Sequence, residues 1–213
     1  MKKVFLLLAL LTIDGMIRSA FAASVDPLSE ADKKEGFRPL FNGKDLTGWK
    51  LRNPNGHASW SAKNGILVND PGKEHGTDLV TVEKFKDFTI RCEYVIPKGA
   101  NSGLYLRGRH EIQIVDDYDK GQPSKGGNGA IYNQVPVSQF ASKKPGEWQT
   151  VEATIKGNRI SVMLNGVKVH DQIESSRPTG GELDGDVNAP GPVMLQGDHG
   201  AISFRNIRIK ELK

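Results

Sequence analysis

The stretch WQTVEATIKGNRISVMLNGVKVHD, from Trp148 to Asp171, decides the fold class. Apolar side chains stand at 151, 153 and 155 and again at 160, 162 and 164, which is the two-residue period of a half-buried β-strand. The segment KGNR separates these two strands, and Asn165-Gly166 predicts a type I′ turn into a third strand with Val167 and Val169. The three strands are therefore predicted to form an antiparallel meander with one buried face.

Short segments in which apolar and polar residues alternate, separated by turn residues, continue on both sides of this meander. The chain has 24 glycines and 11 prolines among 213 residues, and sustained helical periodicity is absent. About ten short strands predict an all-β fold, a two-sheet antiparallel jelly-roll sandwich. The further strands are predicted at 65–68, 88–96, 102–108, 110–116, 192–197 and 201–212, the last with a β-bulge near Arg205-Asn206 that keeps Ile202, Phe204, Ile207 and Ile209 on one face.

The N-terminal residues have the pattern of a secretory signal peptide. Lys2 and Lys3 precede an apolar run at 4–13, and Ala20-Phe21-Ala22 is a small-x-small cleavage site. The run is too short to span a membrane, and the absence of a cysteine at the cleavage site excludes a lipoprotein anchor. We expect a periplasmic or secreted protein, with a signal peptide at 1–22, a flexible leader at 23–36 and a single domain at 37–213.

Charge and cysteine content narrow the classes of partner. The formal net charge of +4 falls to +2 without residues 1–22, which carry three basic side chains and one acidic one. No basic cluster interleaves with aromatic residues, so nucleic acid is not an expected partner. Cys92 is the single cysteine, and its even spacing from Phe88 and Ile90 predicts a buried thiol. Nothing in the sequence specifies an oligomeric state.

Residues 104–114 divide by parity into an apolar face and a polar face. A solvated strand face usually carries Lys, Thr, Ser and Glu, whereas this polar face has side chains that make directional hydrogen bonds to hydroxyls and carboxylates. We therefore interpret it as a sugar-binding, catalytic face, with simple solvation as the alternative. His110 falls in the apolar set and is predicted to be a structural histidine. The polar set is Tyr105, Arg107, Arg109, Glu111 and Gln113.

Two further candidates extend this site. Asp116 lies five residues beyond Glu111 and reaches the same cleft only through a bulge or a turn. If it does, two carboxylates face one cleft, as general acid–base cleavage of glycosides requires. His199 follows a predicted buried strand at a tight turn, which places it at the cleft rim beside Gln196.

Cofactors and loops give weaker signals. The sequence requires no cofactor. Asp117 and Asp119 are interpreted either as solvated loop residues or as a cation site, because carboxylates at this short spacing suit a divalent cation such as Ca²⁺. The segments 120–144 and 174–191 lack strand character and are predicted to be functional loops, because unstructured stretches of this length are uncommon in compact domains.

Three blocks of the sequence resemble the 3-keto-disaccharide hydrolase family: FRPLFNGKDLTGWK at 37–50, NSGLYLRGRHEIQIVDDYD at 101–119 and GPVMLQGDHGAISFRNIRIKEL at 191–212. The resemblance spans about residues 37–212 and implies a concanavalin A-like lectin/glucanase sandwich acting on an oxidised (3-keto) glycoside or disaccharide. The middle block is also loosely similar to laminarinase-type glycosidases, whose site reads Glu-x-Asp-x-x-Glu. Glu111 matches the first acid, but Gln113 and Asp116 depart from the pattern, which counts against ordinary double displacement.

The substrate that the resemblance implies needs one base. A ketone at C3 acidifies the proton at C2, so its removal allows the C1 group to leave, and water then adds to give net hydrolysis. Glu111 is the base we expect, with His199 as the second candidate. The other expected roles are enolate stabilisation by Arg107, Arg109 or a bound cation, hydroxyl binding by Tyr105 and Gln113, and acid catalysis or positioning by Asp116.

Two other classes of function fit the same sequence. A non-catalytic carbohydrate-binding module of this fold would present aromatic rings to a sugar, and the available tryptophans are Trp49, Trp60 and Trp148. Trp49 and Trp148 are expected to pack in the core. An interaction domain would use the arginine-rich face to contact a partner protein.

Overall fold

The computed structural model describes residues 28–213, which form two packed antiparallel sheets, one short α-helix and one turn of 3-10 helix at Tyr118–Lys120. Residues 1–22 and 23–27, assigned to the signal peptide and the start of the leader, lie outside the described residues. In chain order the elements are α1 (Glu30–Glu35), β1 (Arg38–Pro39), β2 (Trp49–Leu51), β3 (Trp60–Lys63), β4 (Ile66–Asn69), β5 (Leu79–Thr81), β6 (Phe88–Val95), β7 (Asn101–Leu106), β8 (His110–Val115), β9 (Gln149–Lys156), β10 (Arg159–Leu164), β11 (Val167–Glu174), β12 (Met194–Leu195) and β13 (Ile202–Glu211).

The strands form a large sheet and a small sheet. The large sheet has eight strands in the order β11-β10-β9-β6-β13-β4-β3, with β1 paired to β13, and the small sheet has five in the order β2-β5-β12-β7-β8. The predicted all-β, two-sheet sandwich is confirmed. The strand predicted at 192–197 is shorter than expected, because only Met194–Leu195 pairs with strands on both sides.

The meander that decided the fold class is present as predicted. Strand β9 pairs with β10 and β10 with β11, all antiparallel, and the alternating apolar side chains face the core. Asn165 and Gly166 have φ angles of 52° and 81°, the two left-handed residues that a type I′ turn requires.

Strand β13 contains the predicted bulge. Its register with β6 shifts between Arg205 and Arg208, and Asn206 has a φ of 53°. The extra residue changes the parity of the strand, so side chains on both sides of it point into the same core. Ile202, Phe204, Ile207 and Ile209 are accordingly all buried.

The core lies between the two sheets. It includes large side chains with little or no exposure, such as Phe88, Tyr94 and Leu104, each of which contributes roughly 1.5–3 kcal/mol through burial. Cys92 is buried there as predicted, and burial raises the pKa of its thiol to about 12. In the part of the chain that the structure describes, no helix has the length and apolar character needed to cross a membrane.

The end of the expected flexible leader is an ordered helix. Ser29 caps the N-terminus of α1 through its side chain, and Gly36 ends the helix with a φ of 86°. The buried carboxylate of Asp32 accepts a hydrogen bond from Arg91 at 2.8 Å and pairs with Arg208 at 2.8 Å. The expectation failed here because these arginines come from β6 and β13, far away in the sequence.

Candidate active site

The hairpin of β7 and β8 brings the polar residues of the middle block onto one face. Tyr105 pairs with Glu111 and Gly103 with Gln113, so these residues point to the same side of the small sheet. Strand β12 continues this face, with Met194 opposite Tyr105. The face borders a cavity of about 350 Å³. Its lining residues are Arg52, Asp78, Asn101, Tyr105, Glu111, Gln113, Tyr132, Gly180, Gly181, Gln196, Asp198 and His199.

Glu111 is the most deeply buried acid among the lining residues, with 2% of its surface exposed. Burial raises the pKa of its carboxyl to about 7 because the charged form loses water, and the nearby carboxylates of Asp78 and Asp198 act in the same direction. A hydrogen bond from Tyr105 to Oε2, at 2.9 Å, works against this rise. Glu111 can therefore gain or lose a proton near neutral pH.

Tyr105 holds the Glu111 carboxyl in place. Its hydroxyl oxygen lies 2.9 Å from Glu111 Oε2 and 3.1 Å from the Gly180 carbonyl oxygen. Burial, together with the neighbouring charge of Glu111, raises the pKa of the phenol above its ordinary value, so it remains a protonated donor at neutral pH.

Arg52 and Asp78 form a charged pair on the cavity wall. Arg52 Nη1 donates to Asp78 Oδ2 at 3.1 Å, and Asp78 Oδ1 accepts the backbone N–H of Gly197 at 3.0 Å. Arg52 also donates to the carbonyls of Gly181 and Glu182, at 2.7 and 2.8 Å. Arg52 is the one arginine or lysine among the lining residues, so it supplies the permanent positive charge there.

The turn after β12 carries Asp198 and His199 to the cavity rim. His199 is exposed, and its Nδ1 lies 2.5 Å from Asp198 Oδ1. The buried side chain of Asn69 donates to the carbonyls of Gly197 and Gly200, at 3.0 and 2.8 Å, and so brackets the turn on both sides.

Arg107 and Arg109 do not line the cavity, which corrects their expected roles. Strand β7 ends at Leu106, and Arg107 has a φ of 55° in the turn, so parity along the strand does not extend to either residue. Arg107 donates to Asp87 Oδ1 at 2.8 Å and to the Val187 carbonyl at 3.0 Å. Arg109 binds both carboxylate oxygens of Asp184, at 2.6 and 2.9 Å. Both guanidinium groups anchor the loop at 175–191 to the sandwich.

Asp116 is also separate from the cavity lining. It lies beyond the end of β8, and its Oδ2 accepts the backbone N–H of Gly99 at 2.8 Å. No bulge in the β7–β8 pairing returns it to the face of Glu111, since the register is continuous from Asn101↔Val115 to Leu106↔His110. The structure therefore does not place Asp116 where a second catalytic carboxylate would stand.

The expected cation ligands have other partners. Asp117 is buried and accepts hydrogen bonds from Ser142 Oγ at 2.6 Å and from the Asn128 N–H at 2.8 Å. Asp119 lies 3.6 Å from Lys98 Nζ at the surface. Among residues 28–213, no group of three or more His, Cys, Asp or Glu side chains is arranged to hold a metal ion. The Asp117 carboxylate thus ties its own segment to the segments of Asn128 and Ser142.

A sequence profile for the 3-keto-α-glucoside-1,2-lyase-like domain matches residues 36–210, which include every residue that lines the cavity. The chain belongs to this lyase-like family.

Similar proteins agree with this assignment. A 3-keto-disaccharide hydrolase of Bacteroides thetaiotaomicron is 26% identical over 92% of this chain and 85% of its own length. Two crystal structures of proposed glycosyl hydrolases from Parabacteroides distasonis superpose with TM-scores of 0.73 and 0.67. Their identities are 26% and 32%, over 87% and 83% of this chain and 98% and 84% of theirs. A β-glucanase of Bacillus licheniformis, 12% identical, has a TM-score of 0.51 over 83% of this chain and 97% of its own, which shows the shared fold. Family and relatives support a carbohydrate hydrolase.

Tryptophan does not line the cavity of this lyase-like protein. Trp49 and Trp60 are buried, and their indole N–H groups donate to the carbonyls of Leu40 and Thr77. Trp148 is only half-buried rather than packed in the core, and the Arg205 guanidinium lies 4.0 Å from its ring centroid. The rings at the cavity are the phenols of Tyr105 and Tyr132.

His110 has the structural role predicted for it. It is fully buried, and its Nδ1 lies 3.0 Å from Ser175 Oγ. Burial, aided by the charges of Arg107 and Arg109, lowers the pKa of His110 to about 4, so the imidazole is neutral at physiological pH.

Several lining residues were not singled out from the sequence of this lyase-like chain. The two predicted loops do contribute to the wall, through Tyr132 from one and Gly180 and Gly181 from the other. Asp198 stands beside His199 in the quoted third block. No sequence pattern near Arg52 or Asp78 predicts a site, because the two residues meet only when the segment after β2 and the segment before β5 come together in the fold. Asn101 opens the middle block and was likewise missed.

Proposed function

We propose that the protein cleaves 3-keto glycosides in this cavity by removing the C2 proton and expelling the C1 substituent, with net hydrolysis. The observation that carries the proposal is the buried Glu111 carboxyl, whose pKa is raised to about 7 by burial and by the nearby carboxylates of Asp78 and Asp198. A general base is most effective when its pKa lies near the working pH. The family profile and the Bacteroides relative support a 3-keto sugar as the substrate class.

The proposed steps balance as follows. The Glu111 carboxylate takes the C2 proton, and the C2–H electron pair forms a C2=C3 double bond while the ketone becomes an enolate. The enolate then re-forms the C3 ketone, a C1=C2 double bond forms, and the C1–O bond breaks. His199 protonates the leaving oxygen and then takes the proton from the water whose hydroxyl adds to C1, while Glu111 returns a proton to C2. One base serves both directions, so a second carboxylate nucleophile is not needed.

Arg52 is the residue we assign to the developing enolate. The sequence had suggested Arg107 or Arg109, but these hold the loop, and Arg52 is the arginine that lines the cavity. Its contacts to Asp78 and two backbone carbonyls fix the orientation of the guanidinium, and preorganised charge stabilises a transition state without reorganisation. Gln113, Gln196 and Asn101 provide amides for sugar hydroxyls.

His199 is the proposed acid for the leaving oxygen. It stands at the rim, where a C1 substituent would leave toward solvent, and its contact with Asp198 orients the imidazole. The base and the acid then belong to different elements, Glu111 to β8 and His199 to the turn after β12.

The test is cleavage of a 3-keto glycoside and of its unoxidised parent by the purified protein. We expect release of the C1 group from the keto substrate only, and a loss of at least about 100-fold in kcat for Glu111→Gln with little change in substrate binding. Glu147→Gln is the matched control, because Glu147 is exposed and does not line the cavity. Equal cleavage of both substrates would indicate an ordinary glycosidase, and binding without cleavage would indicate a carbohydrate-binding module; either result overturns the proposal.

We further propose that the protein is exported, as the pattern of residues 1–22 indicates. N-terminal sequencing of the protein recovered from the periplasm or medium should then begin near Ala23. Retention in the cytoplasm with Met1 intact would contradict export without affecting the chemistry.

A further inference from the structure

The hydroxyl of Tyr105 lies between two acceptors but carries one proton. Its oxygen is 2.9 Å from Glu111 Oε2 and 3.1 Å from the Gly180 carbonyl oxygen. A phenol donates a single hydrogen bond, although its oxygen also accepts. The hydroxyl therefore cannot give a full hydrogen bond to both neighbours at the same time.

The protonation state of Glu111 decides which of the two acceptors receives the hydrogen bond from Tyr105. An ionised carboxylate only accepts, and it is a stronger acceptor than a neutral carbonyl, so it takes the Tyr105 hydrogen. A protonated Glu111 becomes a donor and can direct its own hydrogen to the Tyr105 oxygen. The Tyr105 hydrogen is then available to Gly180. No proton changes owner in this rearrangement, because Glu111 keeps the one it has gained.

Gly180 belongs to the loop at 175–191, which packs directly on this pair. Gly181 has a φ of 66°, and a β-carbon there would come within 2.7 Å of the Tyr105 oxygen. Thr179 Oγ1 accepts the backbone N–H of Glu111 at 2.8 Å. The loop therefore contacts both members of the pair over three consecutive residues.

We propose that Tyr105 is a positioning residue that turns its hydroxyl from Glu111 to Gly180 whenever Glu111 becomes protonated, which holds the 175–191 loop more firmly in that state. During turnover, the proton on Glu111 comes from C2 of the substrate, and only this part of the inference rests on the proposed function. In the resting protein, water supplies the proton. During catalysis the loop is firmest while Glu111 carries the abstracted proton, and it loosens when the proton returns.

Other groups that face Glu111 must be separated from this effect. Asp78 precedes β5, Asp198 and His199 follow β12, and Arg52 follows β2, all at the same cavity. His199 lines the same cavity and stands in contact with Asp198, so it needs its own control. The other histidine near the loop, His110, has its pKa lowered to about 4 and stays neutral throughout the range tested.

The experiment is hydrogen–deuterium exchange of the full chain without substrate, at pH values about 1.5 units below and above the Glu111 pKa. After correction for intrinsic exchange, backbone amides at 179–183 should be roughly two- to tenfold more protected at the lower pH, the effect of one hydrogen bond. Tyr105→Phe and Glu111→Gln should both remove the pH dependence, whereas His199→Gln should retain it. Absence of the dependence in the wild type, or its survival in Tyr105→Phe, would overturn the proposal.

A second measurement distinguishes the loss of one hydrogen bond in the Tyr105→Phe variant from a wider change in its structure. Carbon-13 NMR of glutamate-labelled protein follows the Glu111 carboxyl directly, and its titration midpoint should move to higher pH in Tyr105→Phe because the anion loses a donor. An unchanged midpoint would refute the role of Tyr105. Neither measurement uses a 3-keto sugar, so failure of the proposed function would leave both results standing.

Discussion

The Glu111 carboxyl occupies the space that a side chain at Gly103 would need. The two residues lie diagonally on β7 and β8, and a β-carbon at Gly103 would collide with Glu111 Oε1. Glycine at 103 is therefore what allows the carboxyl to lie across the sheet and still reach Tyr105.

The first prediction concerns this contact. Gly103→Ala should displace the Glu111 side chain and lower kcat/KM on a 3-keto glycoside by about 100-fold or more, since small misplacement of a catalytic group is costly. Circular dichroism should show an intact sandwich. Gly185→Ala is the control, because nothing lies within 4 Å of a β-carbon there. Full activity in Gly103→Ala would mean that the position of Glu111 does not matter for turnover.

The second prediction concerns the pH dependence of activity. Glu111 acts as a base only when ionised, and its pKa in the free protein is raised to about 7. The value of kcat/KM should therefore rise with pH and reach half its maximum near pH 7 on this limb. Glu111→Asp, if active, should keep the rising limb, whereas Glu111→Gln should lack it. A limb that is half-complete near pH 4.5 would show that the essential base is an ordinary exposed carboxylate.

The third prediction concerns the effect of the same carboxyl on stability. Folding raises the pKa of Glu111 from an ordinary 4.5 to about 7, so the folded state binds the proton more tightly than the unfolded state. Its contribution is fully present below pH 4.5 and is lost as pH rises toward 7. The loss is on the order of 3 kcal/mol.

Glu111→Gln removes this dependence, because the amide does not titrate. The stability of the variant relative to wild type should therefore be greater at pH 8 than at pH 4, as measured by urea unfolding at each pH. Glu147→Gln should show no such trend. An equal difference between variant and wild type at both pH values would contradict the raised pKa.

The fourth prediction concerns Asn69, which supports the turn that carries His199. Asn69→Ala leaves the carbonyls of Gly197 and Gly200 without their donor, and should cost about 1–3 kcal/mol of unfolding free energy. It should also reduce kcat more than it changes KM, because the proposed acid is no longer held in place. Asn55→Ala, at an exposed position, is the control for loss of an asparagine side chain. An unchanged kcat would remove His199 from the mechanism.

The fold could be predicted from the sequence because its decisive signals are local. The turn at Asn165-Gly166 and the bulge at Arg205-Asn206 depend on neighbouring residues and on the two-residue period of strands. Glu111 could be predicted for the same reason, since it lies within a regular strand. The assignments of Arg107 and Arg109 failed where that strand ends, because parity has no meaning through a turn.

The remaining errors come from contacts between distant parts of the chain. Arg52, just after β2, pairs with Asp78, just before β5, and α1 is fixed by Arg91 and Arg208 from the large sheet. No local sequence pattern near these residues predicts an ion pair with a residue so far away in the chain. Asp116 is the opposite case, a contact expected from the sequence that the fold does not make. Its spacing from Glu111 suggested a shared cleft, but its carboxylate accepts a hydrogen bond from the backbone of Gly99.

The central claim is that Glu111 removes a proton from C2 of a 3-keto sugar. The most direct measurement is turnover of a 3-keto glycoside in D₂O, with NMR to follow release of the C1 group and the hydrogen at C2. The carboxyl hydrogen of Glu111 exchanges with D₂O while the unsaturated intermediate is bound, so the account predicts product with deuterium at C2 for the wild-type protein. It also predicts turnover at least about 100-fold slower for Glu111→Gln and no cleavage of the unoxidised parent. Product that retains hydrogen at C2, together with equal rates for substrates that carry hydrogen and deuterium at C2, would show that the C2–H bond stays intact. The C1–O bond would then break by direct hydrolysis, which would contradict the account.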